Sequence, residues 1–277
     1  MSRMKPEIVP GTKQFISLGA GVQSSTMALM AMHGEIGPPP DAAIFADTGA
    51  EPEEVYQWLD YLEPLLDFPV YRVMYKEGLQ ANIEESLAGG RFAGAPFFTE
   101  SDAGREGRLR RQCTKEFKIQ PVERKMRELC GIQPGQQARK LLMYTWQGIS
   151  TDEIQRARRS THKWQEFRYP LLENRVSRQD CINWMEKQGY ERPPRSACIW
   201  CPYHNDAEWR RMKAEDPGSW SEAVRMDEMI RGGVRGTEEK LYLHRSLKPL
   251  AEIDFRNATD VGQVDMFEEE CEGMCGL

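Results

Sequence analysis

The first part of the chain alternates between short apolar runs and stretches whose apolar positions recur three and four residues apart. Phe15-Ile16-Ser17-Leu18 has the length of a buried strand and enters a loop of small residues that opens onto a helix. Ala42 to Ala46 reads as a second buried strand and ends in Asp47-Thr48-Gly49. A helix then starts near Pro52, with Val55, Leu59 and Leu62 at helical spacing and Trp58 on the flank, and Val70 to Met74 supplies a third strand. Pro121 marks another helix start, with Val122, Met126 and Leu129 inward and Gly131 near the end. Leu141 to Trp146 is a further buried strand. Ser150-Thr151-Asp152-Glu153 has the form of a capping box for the next helix, and Ser177 to Asp180 is a weaker version of it.

This order predicts an α/β fold, a Rossmann-like and mostly parallel sheet with helices on both faces. Residues 1–190 are expected to form the nucleotide-binding α/β part. Residues 191–277 are expected to form a cysteine-bearing region with two polar helices, near 206–214 and 220–230, and an arm from about residue 252, the whole making one unit. Residues 76–110, with Gly89, Gly90, Gly94, Pro96, Gly104 and Gly107, read as a long mobile segment able to close over a substrate. Two strand-to-helix turns then lie side by side at the carboxyl edge of the sheet, where open α/β sheets bind nucleotides. Small residues there let backbone N–H groups and a helix N-terminus approach a phosphate. The candidate nucleotide-binding residues are Ser17, Gly19, Ala20, Gly21, Gln23, Ser24 and Ser25, then Asp47, Thr48 and Gly49. To these we add Gly148, for close backbone approach, and Arg156, as a partner for an anion.

The 277 residues are 40% hydrophobic and 29% charged, as in an ordinary globular protein. No apolar run is long enough to span a bilayer and the first residues lack a signal-peptide core, so a cytoplasmic location is expected. Seven cysteines are an odd number, which suits metal ligation or thiol chemistry better than a disulfide framework. The net charge of −6 is unevenly spread. Residues 105, 108, 110, 111, 115, 118, 124 and 125 are Lys or Arg against Glu106, Glu116 and Glu123, residues 156–178 are also basic, and the stretch from Asp260 to Glu272 is acidic. A basic middle in an acidic chain suits a localised anionic ligand better than broad coating of nucleic acid.

Cys198-Ile199-Trp200-Cys201-Pro202 lets two thiolates reach one metal or cluster, and the proline keeps a helix from forming across them. Cys113, in the most basic segment, is the best third ligand. Cys271 or Cys275, near the C-terminus, is a candidate fourth, with Cys181 or an external group as further options. Zinc held by Cys113, Cys198, Cys201 and His204 is the alternative to iron and sulfur. No Ser/His/Asp grouping stands out along the sequence.

The Gly19–Ser25 loop, the Asp47-Thr48-Gly49 turn with Glu51, Pro52, Glu53 and Tyr56, and the run from Tyr169-Pro170-Leu171 to Cys198 and Cys201 together resemble the PP-loop superfamily. That superfamily is adenine nucleotide alpha-hydrolase-like, and the likeness is to its phosphoadenosine phosphosulfate (PAPS) reductase members. The usual loop there reads Ser-Gly-Gly-x-Asp-Ser-Ser/Thr, so Gly21, Ser24 and Ser25 match and Gln23 stands in place of the aspartate. Cys113, Lys118 and Pro121 fall in the order of the family's cluster segment, with Gln112 in place of one cysteine. The ending Cys275-Gly276-Leu277 is similar to the segment that carries the reductases' catalytic cysteine. The resemblance implies a sulfonucleotide enzyme that binds ATP, APS or PAPS and reduces at sulfur. It further implies a [4Fe–4S] cluster on Cys113, Cys198, Cys201 and Cys271, Cys275 as nucleophile, and a thiol reductant such as thioredoxin. The superfamily also implies an alternative, an ATP pyrophosphatase that activates a nucleic-acid base or other acceptor for sulfur transfer. A nucleotide- or metal-binding protein without turnover is the third possibility.

Overall fold

Strands buried on both faces organise the central sheet. In the computed structural model, which describes residues 8–101, 104, 106–237 and 239–255, β1 (Lys13–Leu18), β2 (Ala42–Asp47) and β3 (Val70–Met74) lie side by side. β6 (Met143–Gln147) and β7 (Gln165–Arg168) continue the sheet on the other side of β1, giving the order β3-β2-β1-β6-β7 with every pairing parallel. Ile16, Leu18, Ala43, Phe45, Tyr144 and Trp146 face one core, and Phe15, Ala42, Ile44 and Met143 face another. The first core is closed by α1 (Val22–Met32), α2 (Glu53–Leu62), α5 (Pro170–Glu173) and α6 (Arg178–Gln188), through Met27, Leu59, Leu171 and Met185. The second is closed by α4 (Gln120–Leu129), through Val122 and Met126. The fold is therefore α/β, a parallel sheet with helices on both faces. The chain moves outward from β1 to β3 and later returns to the other flank with β6 and β7. The turns after β1 and β6 thus meet where strand order reverses, the place where α/β sheets open a crevice.

A third core lies beside the sheet. It joins Leu79 and Ile83 of α3 (Gly78–Leu87) and Phe97 to Trp200, Trp209 of α7 (Asp206–Glu215), Met226 of α8 (Pro217–Met229) and Leu241. Residues on both sides of position 190 build it. β4 (Phe98–Glu100), β5 (Glu106–Arg108) and β8 (Lys240–Tyr242) form a small antiparallel sheet in the order β5-β4-β8. The stretch 76–110, expected to be a long mobile segment, contains α3, β4 and β5: Leu79 and Ile83, four residues apart, bury one face of the helix, and Gly89 closes it at φ +90. Phe255 is buried against Trp220, so residues 252–255 belong to this core and not to an arm. The acidic stretch beyond them lies outside the described residues.

Two capping expectations exchange places. Ser150 donates to Asp152 and precedes only a short 3-10 turn (Thr151–Arg156) with no side-chain cap. Ser177 forms the full capping box with Asp180 at the start of α6, and Gly189 ends that helix in the left-handed conformation at φ +78. Among the described residues no helix is long and apolar enough to cross a membrane. Ser177→Ala removes the cap of the helix that covers α1 and is expected to lower stability by about 1 kcal/mol. Urea denaturation checks this, and an unchanged midpoint would show that α6 is held by packing alone.

Candidate functional site

The turn between β1 and α1 is closed by its own side chains. Gly19 N–H donates to Ser24 Oγ at 3.1 Å, and Ser24 Oγ donates to the Gly21 carbonyl at 3.3 Å. Ala20 sits at φ +60, a conformation that glycine takes more readily, and it is fully buried. Ser25 Oγ accepts from Trp58 Nε1 at 2.9 Å, which ties α1 to α2. Gln23 accepts from Arg178 Nη1 at 2.7 Å and donates to Glu153 at 3.2 Å, while Glu153 also pairs with Arg156. Gly21 caps α1 without a side-chain acceptor, and no acidic residue lies in the first turn of the helix. The first N–H groups of a buried helix thus point outward with no side chain to receive them, the electrostatic condition for holding an anion.

Beside this turn, a narrow crevice of about 10 Å³ opens at the carboxyl ends of β1 and β2, lined by Ser17, Gly19, Ala46, Lys118 and Ser196. The second turn is equally ordered. Asp47 Oδ1 accepts from Gly49 N–H and from Tyr56 OH, both at 2.8 Å, and Gly49 takes φ +70. Burial and the Asp47 carboxylate push the Tyr56 phenol upward, so Tyr56 remains a donor. Gly148 has a use other than the expected approach to a ligand. A Cβ at 148 would stand 2.8 Å from Ser24 Cα, so the glycine lets the turn after β6 press on the start of α1.

The cysteines of the sequence motif gather next to this cavity. Cys113, Cys198 and Cys201 line a cleft of about 30 Å³ together with Thr48, Arg111, Lys118 and Tyr203. Lys118 Nζ stands 3.4 Å from Glu51 Oε1, and both side chains are buried, 10% and 0% exposed. Thr48 donates to Glu51 Oε1 at 2.9 Å and lies 3.5 Å from Cys198 Sγ, and Cys198 Sγ is 3.9 Å from that same oxygen. Glu51 Oε2 is buried without a partner. Burial opposes the Lys118 charge, but Glu51 and the neighbouring thiols outweigh it and raise the ammonium above its ordinary value. Burial, then the Glu51 charge, push the Cys198 thiol up, and burial does the same to Cys201. Arg111 and Arg108 each lie 5.0 Å from the Tyr203 ring, at the mouth of the cleft.

Three thiols around one cleft, with Lys118 and Arg111 available to offset the negative charge of bound thiolates, are a donor set that suits an iron–sulfur group. Among the described residues, no three His, Cys, Asp or Glu side chains already stand in position to hold a metal ion. His204 turns its Nε2 to the Cys198 carbonyl at 2.9 Å and its Nδ1 toward Glu208. Burial and the nearby Arg195 lower its pKa to about 4, so the ring is neutral. The carbonyl bond occupies Nε2 and leaves Nδ1, which faces Glu208, as the nitrogen able to ligate a metal. Cys181 is packed in the core beneath α6, and Cys271 and Cys275 lie outside the described residues.

One grouping not apparent in the sequence is present. His244 bonds Asp206 at 3.0 Å and Ser246 Oγ at 2.8 Å, while Ser246 N–H also points to His244 Nδ1. These contacts close the surface turn that runs from His244 into Leu247, at φ +53. Glu51 and Lys118 were equally hard to single out as a buried pair, because a charged residue in a charged stretch reads as solvated until its burial is known.

Comparison with protein-family models gives no match to this chain, and no curated protein matches it. The site therefore has to be read from its own chemistry. Lys118→Met leaves Glu51 charged and buried without a cation and is expected to lower stability by about 3–5 kcal/mol. Adding Glu51→Gln should restore part of that loss. Denaturant titration of the single and double variants checks both, and full stability of Lys118→Met would show that the pair is hydrated.

Proposed function

We propose that the chain is a PP-loop-type protein that binds an adenine nucleotide at the Gly19–Ser25 turn and acts on it as a PAPS-reductase-like sulfonucleotide enzyme. The observation that carries this reading is Lys118, which lines both the cavity beside the turn and the cleft of Cys113, Cys198 and Cys201. A nucleotide whose anionic end sits at the start of α1 has its reacting group directed toward one buried ammonium, with the thiols beyond it. Lys118 stabilises negative charge that develops on the leaving oxygen, and Glu51 and Thr48 fix its position. Cys113, Cys198 and Cys201 would hold a [4Fe–4S] group, which supplies electrostatic or redox tuning when bound.

In the reductive step a cysteine thiolate attacks the sulfur of APS or PAPS. The sulfur–sulfur bond forms as the sulfur–oxygen bond to the nucleotide breaks, and AMP or its 3′-phosphate leaves. A second thiol, from a dithiol reductant such as thioredoxin, then attacks that cysteine's sulfur, releases sulfite and leaves a disulfide. Cys275 is assigned the nucleophile on the resemblance of its sequence setting and is tested directly.

Protein purified without oxygen is expected to be brown and to lose its iron in Cys198→Ala. After incubation with PAPS or APS, mass spectrometry should find a sulfite adduct on Cys275 that is absent in Cys275→Ser. Colourless protein with one bound zinc would exclude the cluster. Release of AMP and pyrophosphate from ATP in the presence of an acceptor, unaffected by Cys275→Ser, would replace the reductase with the sulfur-transfer alternative.

A further inference from the structure

The amino edge of the sheet, opposite the Gly19–Ser25 turn, carries an open groove of about 620 Å³. Arg127, Arg139, His162 and Lys163 line it beside Trp164, and none of the side chains lining it is a carboxylate. Arg139 and Lys163 are exposed and make no hydrogen bond or ion pair among the described residues. Arg127 is fixed by its bond to the Gln136 carbonyl at 2.6 Å and by its place 5.2 Å from the Trp164 ring. The His162 ring lies nearly parallel to Trp164, 15° from coplanar with centroids 4.7 Å apart. Trp164 is buried while the His162 side chain is 42% exposed, so His162 presents a flat ring to the groove. Ser160 Oγ accepts from the His162 N–H at 3.1 Å and holds the ring's backbone in place, and Glu123 stands 3.5 Å from Nε2.

The positive charge continues beyond the groove. Residues 157–164 lead from the short turn that ends at Arg156, on the nucleotide side of the sheet, back to the start of β7 at the other edge. Arg158 and Arg159 are exposed along that path, and Tyr169 OH pins the Arg158 backbone at both its N–H and its carbonyl. A five-residue strand spans roughly 17 Å, so Arg158 and Arg159, toward the other edge, extend the positive charge beyond the cations of the groove. A single phosphate would need converging donors. A track of separated cations with a flat aromatic face instead matches a phosphodiester backbone with an unstacked base.

We propose that this groove binds single-stranded nucleic acid, with Arg127, Arg139 and Lys163 on the phosphates and the His162 ring stacked on a base. A duplex keeps its base faces covered and leaves that ring unused. In a chain of net charge −6 the attraction comes from local basic patches such as this groove, so binding is salt-dependent. The inference stands independently of the nucleotide-site reading.

Fluorescence anisotropy of the full chain with labelled 12-nucleotide single strands, one of DNA and one of RNA, tests it at low and moderate salt. Binding of either strand is expected, weakening as salt rises. The double variant Arg139→Glu/Lys163→Glu should lose at least about tenfold in affinity, and His162→Ala about fivefold. Arg110→Glu, in the other basic stretch, should leave affinity unchanged, and circular dichroism should show each variant folded. The inference is overturned if neither strand binds, if a duplex of the same sequence binds better, or if the double variant binds as well as the unmutated protein. It is also overturned if polyglutamate binds where the oligonucleotides do not, since the groove would then serve an acidic protein segment.

Discussion

The buried contact between Glu51 and Lys118 is the constraint on which the rest of the site depends. Glu51 follows the turn after β2, and Lys118 lies in the wide helical run Thr114–Ile119 that leads into α4. Neither charge can stay buried alone, because the desolvation cost of each is offset only by the other. Their pairing locks the carboxyl end of the sheet to the segment bearing Cys113. Ile199 N–H adds a bond to the Ala50 carbonyl at 2.7 Å, one residue from Glu51, and brings the Cys198–Cys201 loop to the same place. Three distant parts of the chain thus meet around one ammonium.

The polar atoms near the turn divide into two sets. Side chains that a sequence reading assigns to a ligand are largely engaged within the protein: Ser24 closes the turn, Ser25 holds Trp58, and Asp47 holds Gly49 and Tyr56. What the turn offers outward is backbone N–H and the field of a helix start. Gln23 fits this division. Its neutral amide both accepts from Arg178 and donates to Glu153, which a carboxylate facing Glu153 cannot do. Gln23 thereby holds a guanidinium group at the rim of the turn, and the Glu153–Arg156 pair belongs to the same network.

Strands β1, β2, β3 and β6 were legible because each is an apolar or alternating run of five or six residues next to a recognisable turn. β7 was not, since Gln165-Glu166-Phe167-Arg168 is polar and owes its place to the pairing with β6 and to Arg168 lying over Trp146. The helix at 78–87 was hidden by the glycines that follow it, which end the helix and do not loosen it. At the site, the Cys-x-x-Cys spacing pointed to the cleft and the basic segment to Cys113. The pairing of Glu51 with Lys118 was beyond reach, because nothing local distinguishes a buried charge from a solvated one. The true cap at Ser177 was underrated for a related reason: the sequences around Ser150 and Ser177 both offer a hydroxyl and an acid, and only the backbone decides which pair closes.

Calorimetric titration of the unmutated protein and of Gly21→Val with AMP, ATP, APS and PAPS tests whether the start of α1 holds the anionic end of an adenine nucleotide. Gly21 has an extended backbone, φ −97, so valine brings no backbone strain, and its side chain is added beside the first N–H groups of α1. The account predicts saturable binding of at least one of these nucleotides and a loss of about tenfold or more in the folded Gly21→Val protein. Absence of binding by the unmutated protein, or equal binding by both, would contradict it.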